Sequence, residues 1–345
     1  MKTVSRRQIL TYAAGLAAPS FATCALAQPS KTFPAPLWSA RQFHNQPEQS
    51  PLHRALVRLW ANVKRETKGR LDVTVYAQNN QTQGSDPEVL KMLVNGDLQF
   101  YTLMGGILAN LVPAMDVQGL PYVFKSSMQV YRAMIGPLGD YLRIECAKKG
   151  VYCFRQGTFE NGFRDLNLID RRVYKVEDMA GLKIRVPNGQ MFRDFFTTIG
   201  AEPVTLNINE LYSALKDHRV DGQENPLVVI DTNRLYEVTK YISVTHHMWS
   251  GFNLLANDAF WSKLPIDVQR IVNSNIWLSV TQQRVETITL NQSLVKTLVA
   301  RGMVLNKADT KSFRQTLSTG FYQRWKDQIG QEAWRLLEQS VGKIT

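Results

Sequence analysis

Apolar residues recur along the chain with two alternating periods, and the switches between those periods lay out the elements. Over 51–67, Leu52, Ala55, Leu56, Leu59, Trp60 and Val63 return every three or four residues, as on one face of a helix that Gly69 ends. Leu71, Val73 and Val75 then alternate with their neighbours through 71–77, the period of a strand. A helix over 86–95 stops at Gly96 and feeds a strand-like run at 98–104. A helix over 128–148 leads through Gly150 into a strand at 151–154. The pattern resumes with strands at 163–168, 182–186 and 203–206, a helix at 189–199, and a helix at 210–217 capped by Asn207 or Asn209. Helix and strand in alternation imply an α/β fold with a largely parallel sheet.

One element is out of scale with the rest. Pro265 is placed to be the first helical residue of a segment reaching about residue 301, with Ile271, Val272, Trp277, Val280, Ile288, Leu294, Val295 and Leu298 on its apolar side. Such a helix is about 50 Å long, longer than one small domain, so it is expected to cross two. The chain has 345 residues, beyond the roughly 250–300 at which a single core stops growing. It shows no internal repeat and no low-complexity linker, which fits two lobes that exchange strands and helices.

At 44% apolar and 20% charged residues, the composition is that of a globular protein. The one long apolar run lies at the N-terminus. Lys2, Arg6 and Arg7 precede an apolar stretch over 9–26 that ends in Ala25-Leu26-Ala27, so residues 1–27 read as an export signal. Ser-Arg-Arg-Gln-Ile-Leu at 5–10 has the twin-arginine form, the alternative being an ordinary Sec signal with two arginines. Cys24 is discarded with that segment. The net charge of +12 falls to +9 once its three cations are removed. Lys and Arg are dispersed, without the runs that mark a nucleic-acid or membrane patch, so no nucleic-acid partner is expected. Cys146 and Cys153 can pair in an oxidising compartment or remain two buried thiols.

Phosphate-loop, dinucleotide, nucleophile-elbow, zinc-protease and Cys-x-x-Cys motifs are all missing from the sequence. His246 and His247 are adjacent and would point to opposite faces of a strand, which favours packing or hinge roles over a metal site. No catalytic residue, metal or cofactor is therefore assigned.

The most informative stretch is 161–226. It contains Asn-Gly-Phe-Arg at 161–164, Glu-Asp-Met-Ala-Gly-Leu-Lys-Ile-Arg-Val-Pro at 177–187, Gly-Ala-Glu-Pro at 200–203, Glu-Leu-Tyr-Ser-Ala-Leu at 210–215 and Val-Asp-Gly-Gln-Glu-Asn-Pro at 220–226. With Lys-Gly-Arg-Leu at 68–71 and Gly-Leu-Pro-Tyr-Val-Phe at 119–124, this ordered series resembles the solute-binding subunit of tripartite ATP-independent periplasmic (TRAP) transporters, the DctP family. The resemblance covers nearly all of the chain beyond the signal. It implies a two-lobed periplasmic binding protein that closes on a small organic acid and hands it to separate TRAP membrane permease subunits, without itself entering the membrane. Lobe I would comprise 28–161 plus 251–290, and lobe II 162–250 plus 291–345. Strands near 155–163 and 244–252 would form the hinge.

The resemblance assigns the carboxylate clamp to Arg185, and a planar guanidinium suits that task because it offers two parallel donors. It places Arg164 as a second cation near the carboxylate, the alternative being a structural salt bridge, and Asn225 as an uncharged donor to the same group. Asp221 and Glu224 are expected to hold the loop rather than touch the ligand. From the other lobe, Asn45 and Gln46 would supply polar contacts and Met104 would face the cleft. Some relatives that bind polyhydroxylated acids carry an acidic residue near Met104; none stands there in this chain, which argues against a sialic-acid-like solute. Ile208 is either a pocket wall or core, and Trp249 and Phe252 either stack on the ligand or pack inside. Two further readings are a binding protein that feeds a sensor kinase and, less favoured, an exported enzyme in which Arg185 positions an organic acid and His247 acts as acid or base.

Overall fold

The computed structural model describes residues 35–82 and 85–344; the expected signal at 1–27, with Cys24, lies outside them. Nine strands form one sheet: β1 (Trp38–His44), β2 (Leu71–Tyr76), β3 (Phe100–Met104), β4 (Val151–Leu168), β5 (Lys183–Val186), β6 (Glu202–Thr205), β7 (Gly222–Asn225), β8 (Tyr241–Asn257) and β9 (Val304–Lys307). Their order is β2-β1-β3-β8-β4-β7-β5-β6, with β9 beside β8. Parallel triplets stand at the two ends, β2-β1-β3 and β7-β5-β6, each with its own helices. The long strands β4 and β8 pair antiparallel between them and run from one triplet to the other. The sheet is therefore mixed, not largely parallel, and the two triplets are the sheets of two lobes.

Local signals explain the regular elements. Ser50 caps the helix Pro51–Glu66 by accepting the His53 N–H at 3.1 Å, and the predicted apolar residues of that helix are buried. Ser85 and Glu88 form a capping box at the start of Asp86–Asn95, and Gly96 ends it in the left-handed conformation at φ +87°. Asn207, not Asn209, caps Ile208–Lys216. The helix expected over 128–148 is two, Ser127–Ile135 and Pro137–Ala147, because Pro137 has no N–H to continue the first.

The strands expected at 151–154 and 163–168 are the two ends of β4. Register shifts between Cys153 and Thr158, Glu160 and Gly162, and Arg164 and Leu166 scramble its period. Gly162 has φ +121°, and a Cβ there would lie 2.8 Å from Asn291 Nδ2, so this bend belongs to glycine. Cys146 and Cys153 are free thiols, and a mutual hydrogen bond together with burial pushes the Cys153 thiol up.

The long helix spans Ile266–Ala300, with Pro265 as its N-cap rather than its first residue. Val272, Val280, Leu294 and Leu298 are buried as expected, but Trp277, Ile288 and Val295 are exposed. The middle of its buried face is polar. Asn275, Ser279, Gln283 and Thr287 recur every fourth residue and, with Asn291, meet backbone and side chains of the elements beneath. Gln283 accepts the Glu160 N–H at 2.9 Å and donates to the Glu160 carbonyl at 2.7 Å, so it replaces ladder bonds that β4 loses at its bulge.

Gln283→Ala should lower unfolding stability by about 2 kcal/mol, because two buried backbone groups lose their partner. Urea unfolding will show a lower midpoint with the slope unchanged, and exposed Gln282→Ala should leave the midpoint in place.

Candidate functional site

The C-terminal ends of β1, β3, β5 and β7 meet in a narrow cleft. Seven of the eight candidate residues line it: Asn45, Gln46, Met104, Arg164, Arg185, Ile208 and Asn225. Trp249 does not. Its indole Nε1 donates to Glu160 at 3.0 Å and its ring meets Tyr131 edge-on, which makes it core. Phe252 lines the cleft instead, because the bulged pairing of β8 with β4 turns that residue inward. The sequence reading did not name Asp86, Ile107, Asn161 and Pro187 as lining residues.

The two arginines have different surroundings. Arg164 forks onto both carboxylate oxygens of Glu224, with Nη2 to Oε1 at 2.6 Å and Nε to Oε2; Nη2 also reaches the Glu224 carbonyl at 2.7 Å and Nη1 the Ser250 hydroxyl at 3.0 Å. Its guanidinium lies over the Phe192 ring. Burial works against the Glu224 carboxylate, but Arg164 and a His247 contact at 3.1 Å outweigh it and hold its pKa below the ordinary value. Arg164 is thus a buried structural pair that joins β4 to β7.

Arg185 is 2% exposed, and its only hydrogen-bond acceptor among the described residues is the Leu206 carbonyl, 2.9 Å from Nε and 2.6 Å from Nη2. Among the described residues no carboxylate forms an ion pair with it. Burial draws its pKa down to about 10, with Arg164 adding and Glu224, Asp86 and Glu210 opposing, so it stays charged at neutral pH. Asn225 donates one amide hydrogen to Gln223 Oε1 at 2.5 Å, which leaves the other free.

The facing wall is a network of neutral amides around one acid. Asp86, first residue of its helix, accepts from Asn45 at 2.8 Å, Asn79 at 2.8 Å and Tyr101 at 2.7 Å. Gln46 donates to Asn45 at 2.9 Å. Burial, reinforced by Asp86, pushes the Tyr101 hydroxyl well up, so it remains a donor. The helix over 86–95 was legible in the sequence; that Asp86 faces Arg185 across the cleft depends on how the sheet brings β1, β3 and β5 together.

The walls touch near the rim. Gly189 and Gly106 pass so closely that a Cβ on Gly189 would sit 2.4 Å from the Gly106 carbonyl. Asn110 donates to the Asn188 carbonyl at 2.8 Å and Gln49 to the Thr232 carbonyl at 3.0 Å. His246 and His247 do face opposite ways. His246 pairs with Asp165 at 2.9 Å on the outside, while His247 is buried against Phe195. Among the described residues no group of three or more His, Cys, Asp or Glu side chains could hold a metal ion.

Sheet order, cleft and arginine pair together define a periplasmic-binding-protein fold. The chain belongs to the DctP family, described as bacterial extracellular solute-binding protein family 7, which matches residues 43–327. It is 28% identical over 303 residues to a solute-binding protein of Chromohalobacter salexigens, covering 88% of this chain and 87% of that one. It is 29% identical to the sialic acid-binding periplasmic protein SiaP of Vibrio cholerae, over 77% and 81% of the two chains. It also matches protein y4mM of Sinorhizobium fredii, at 35% identity over 61% of this chain, and spans only 38% of that protein. Among solved structures, a TRAP periplasmic solute-binding protein from Chromohalobacter salexigens with bound D-glucuronate has a TM-score of 0.82 at 25% identity, over 87% of this chain and 98% of that one. The sugar acid-binding protein DctPAm of Advenella mimigardefordensis with galactonate has a TM-score of 0.83 at 25% identity, over 89% and 98%.

Glu224→Gln should cost about 3 kcal/mol of unfolding stability, since it strips the counter-charge from buried Arg164. The pair's contribution is present in full above the ordinary glutamate value of 4.5 and is lost as pH falls through the depressed folded value. A loss below about 1 kcal/mol in denaturant unfolding would show that the pair does not secure β4 to β7.

Proposed function

We propose that this protein captures a hydroxylated monocarboxylic acid of the sugar-acid kind in the periplasm and delivers it to TRAP-type membrane permease subunits, catalysing nothing itself. The observation that carries this reading is Arg185. A buried guanidinium with one carbonyl and no carboxylate is short of an anion, and a ligand carboxylate supplies it through two parallel hydrogen bonds. Arg164 already has its counter-charge in Glu224, so the cleft has room for one negative group rather than two.

Asp86 supports the hydroxylated part. It stands among the lining residues where a ligand hydroxyl could donate to it, and a second ligand carboxylate near it would meet like charge. The acid missing beside Met104 is thus provided from the start of the helix Asp86–Asn95, which answers the argument against a polar solute. The bound glucuronate and galactonate of the two similar structures fit the same chemistry. Among the described residues no helix is long and apolar enough to cross a membrane, in keeping with a permease as a separate partner.

Capture would proceed by closure of the two lobes, with 28–161 plus 251–290 moving against 162–250 plus 291–345. Both boundaries fall at the register shift where Glu160 pairs with Gly251 and Gly162 with Ser250. There the ladder is already broken, so bending loses few hydrogen bonds.

Calorimetry with D-glucuronate, D-galacturonate, D-galactonate and succinate tests the class, the first three being expected to bind and succinate to bind at least roughly tenfold more weakly. Arg185→Met should abolish binding while leaving the ligand-free protein as stable or more so, because it removes an unpaired buried charge. Arg185→Lys should also bind poorly, since a point charge does not reproduce the fork. Full affinity in Arg185→Met would refute the clamp.

Closure has its own test. Ligand should reduce the radius of gyration in small-angle scattering while far-ultraviolet circular dichroism stays constant. Gly189→Val, which crowds the rim where a Cβ would meet the Gly106 carbonyl, should weaken binding by roughly tenfold or more.

A further inference from the structure

Asn45 and Gln46 follow directly on β1, and a pair of imidazoles behind the cleft holds them in place. His44, the last residue of β1, is fully buried, and its Nδ1 accepts the backbone N–H of Gln46 at 3.2 Å. Its Nε2 lies 3.0 Å from Nδ1 of His53, in the first turn of the helix Pro51–Glu66. The Gln46 bond makes Nδ1 of His44 an acceptor, so the ring proton is on Nε2 and donates to His53 Nδ1. A single polarity therefore runs from Gln46 through His44 to His53, and it requires His53 Nδ1 to be bare. His53 is itself fixed, its backbone N–H being bound by the Ser50 cap.

We propose that His53 is a positioning residue for the ligand loop, and that protonation of its ring releases Asn45 and Gln46 and weakens solute capture in acid. The proposal rests on the cleft being the solute site. With a proton on His53 Nδ1, two N–H groups would face each other across 3.0 Å, and His44 cannot turn the bond round without setting its own Nδ1 proton against the Gln46 N–H. The loop is the part that can give way. Displacement there reaches the cleft wall, because Gln46 bonds to Asn45, Asn45 to Asp86, and the Gln46 carbonyl to the Gln78 N–H.

His53 is the group that titrates first. Burial, with His53 beside it, holds His44 down at about 3, so it stays neutral over any ordinary pH. Burial also lowers His53 below the ordinary 6.5, opposed by Glu48 in the preceding turn and reinforced by Arg54 on the same helix. Both of those charged side chains are on exposed residues, and His44 is the titratable group that faces His53 from the sheet. The sign follows. The support is intact above about pH 6.5 and is lost as the pH falls through the lowered value of His53, so acid opposes binding.

The test begins without ligand. In a nitrogen-15 NMR titration of the mature protein, the Asn45 and Gln46 amide signals should move with the same midpoint as the His53 ring. In His53→Gln, which keeps an acceptor for His44 but cannot gain a proton, they should stay still. Binding of D-glucuronate should then weaken roughly threefold or more between about pH 7.5 and 5 in the native sequence and be nearly flat in His53→Gln. His53→Leu, with no acceptor, should bind weakly at both ends. A His53 ring that titrates while Gln46 does not move, or the same pH profile in the native sequence and His53→Gln, overturns the proposal. If D-glucuronate fails to bind at any pH while the amide signals still follow His53, the sugar-acid reading falls and the loop support stands.

Discussion

Two guanidiniums share one buried cleft with a single carboxylate close enough to pair, and the rest of the site follows from that imbalance. Glu224 neutralises Arg164 with both its oxygens, and His247 and the β4–β7 ladder hold the carboxylate in place. Arg185 is left with a backbone carbonyl. Desolvating a cation without an anion is costly, so in the proposed function the fold carries a penalty that a carboxylate-bearing solute would remove. Affinity and selectivity would then have one origin, since a neutral analogue would leave the penalty in place.

The architecture suits the proposed closure because it would separate rigidity from motion. Parallel triplets at the ends of the sheet hold Arg185 and Asn225 on one wall and Asn45, Gln46 and Met104 on the other. Within the sheet, β4 and β8 pass between them. Their pairing breaks around Gly162, and the lost bonds are replaced by the buried amides of Gln283 and Asn291 from the long helix. A polar ridge of this kind orients the helix through directional bonds, where an apolar one would tolerate sliding.

The wall built from β1 and the helix Asp86–Asn95 is neutral amide and hydroxyl around one acid, and each member is positioned by another. Tyr101 and Asn79 fix Asp86, Asp86 fixes Asn45, Asn45 fixes Gln46, and the His44–His53 pair holds the backbone behind them. Under the proposed function a hydroxylated solute would meet a wall whose side chains already hold one another in place, so little ordering would be left to be done on binding.

The sequence by itself determined the elements whose signals are local. The helix Pro51–Glu66 with its Ser50 cap, the helix Asp86–Asn95 up to Gly96, and the short strand that carries Arg185 are all written in periodicity and capping residues. Of the eight candidate residues that the resemblance offered, seven line the cleft, Arg185, Arg164 and Asn225 among them. What the sequence did not determine depended on long-range pairing. The bulges of β4 disguised one strand as two, and the same irregular register put Phe252 rather than Trp249 in the cleft. The long helix misled in its middle, where the buried face is polar and the apolar Trp277, Ile288 and Val295 look outward. Tertiary structure alone decided that Arg164 is neutralised and Arg185 is not, because that rests on which strand stands beside β7, a contact between residues 60 positions apart that no local pattern encodes.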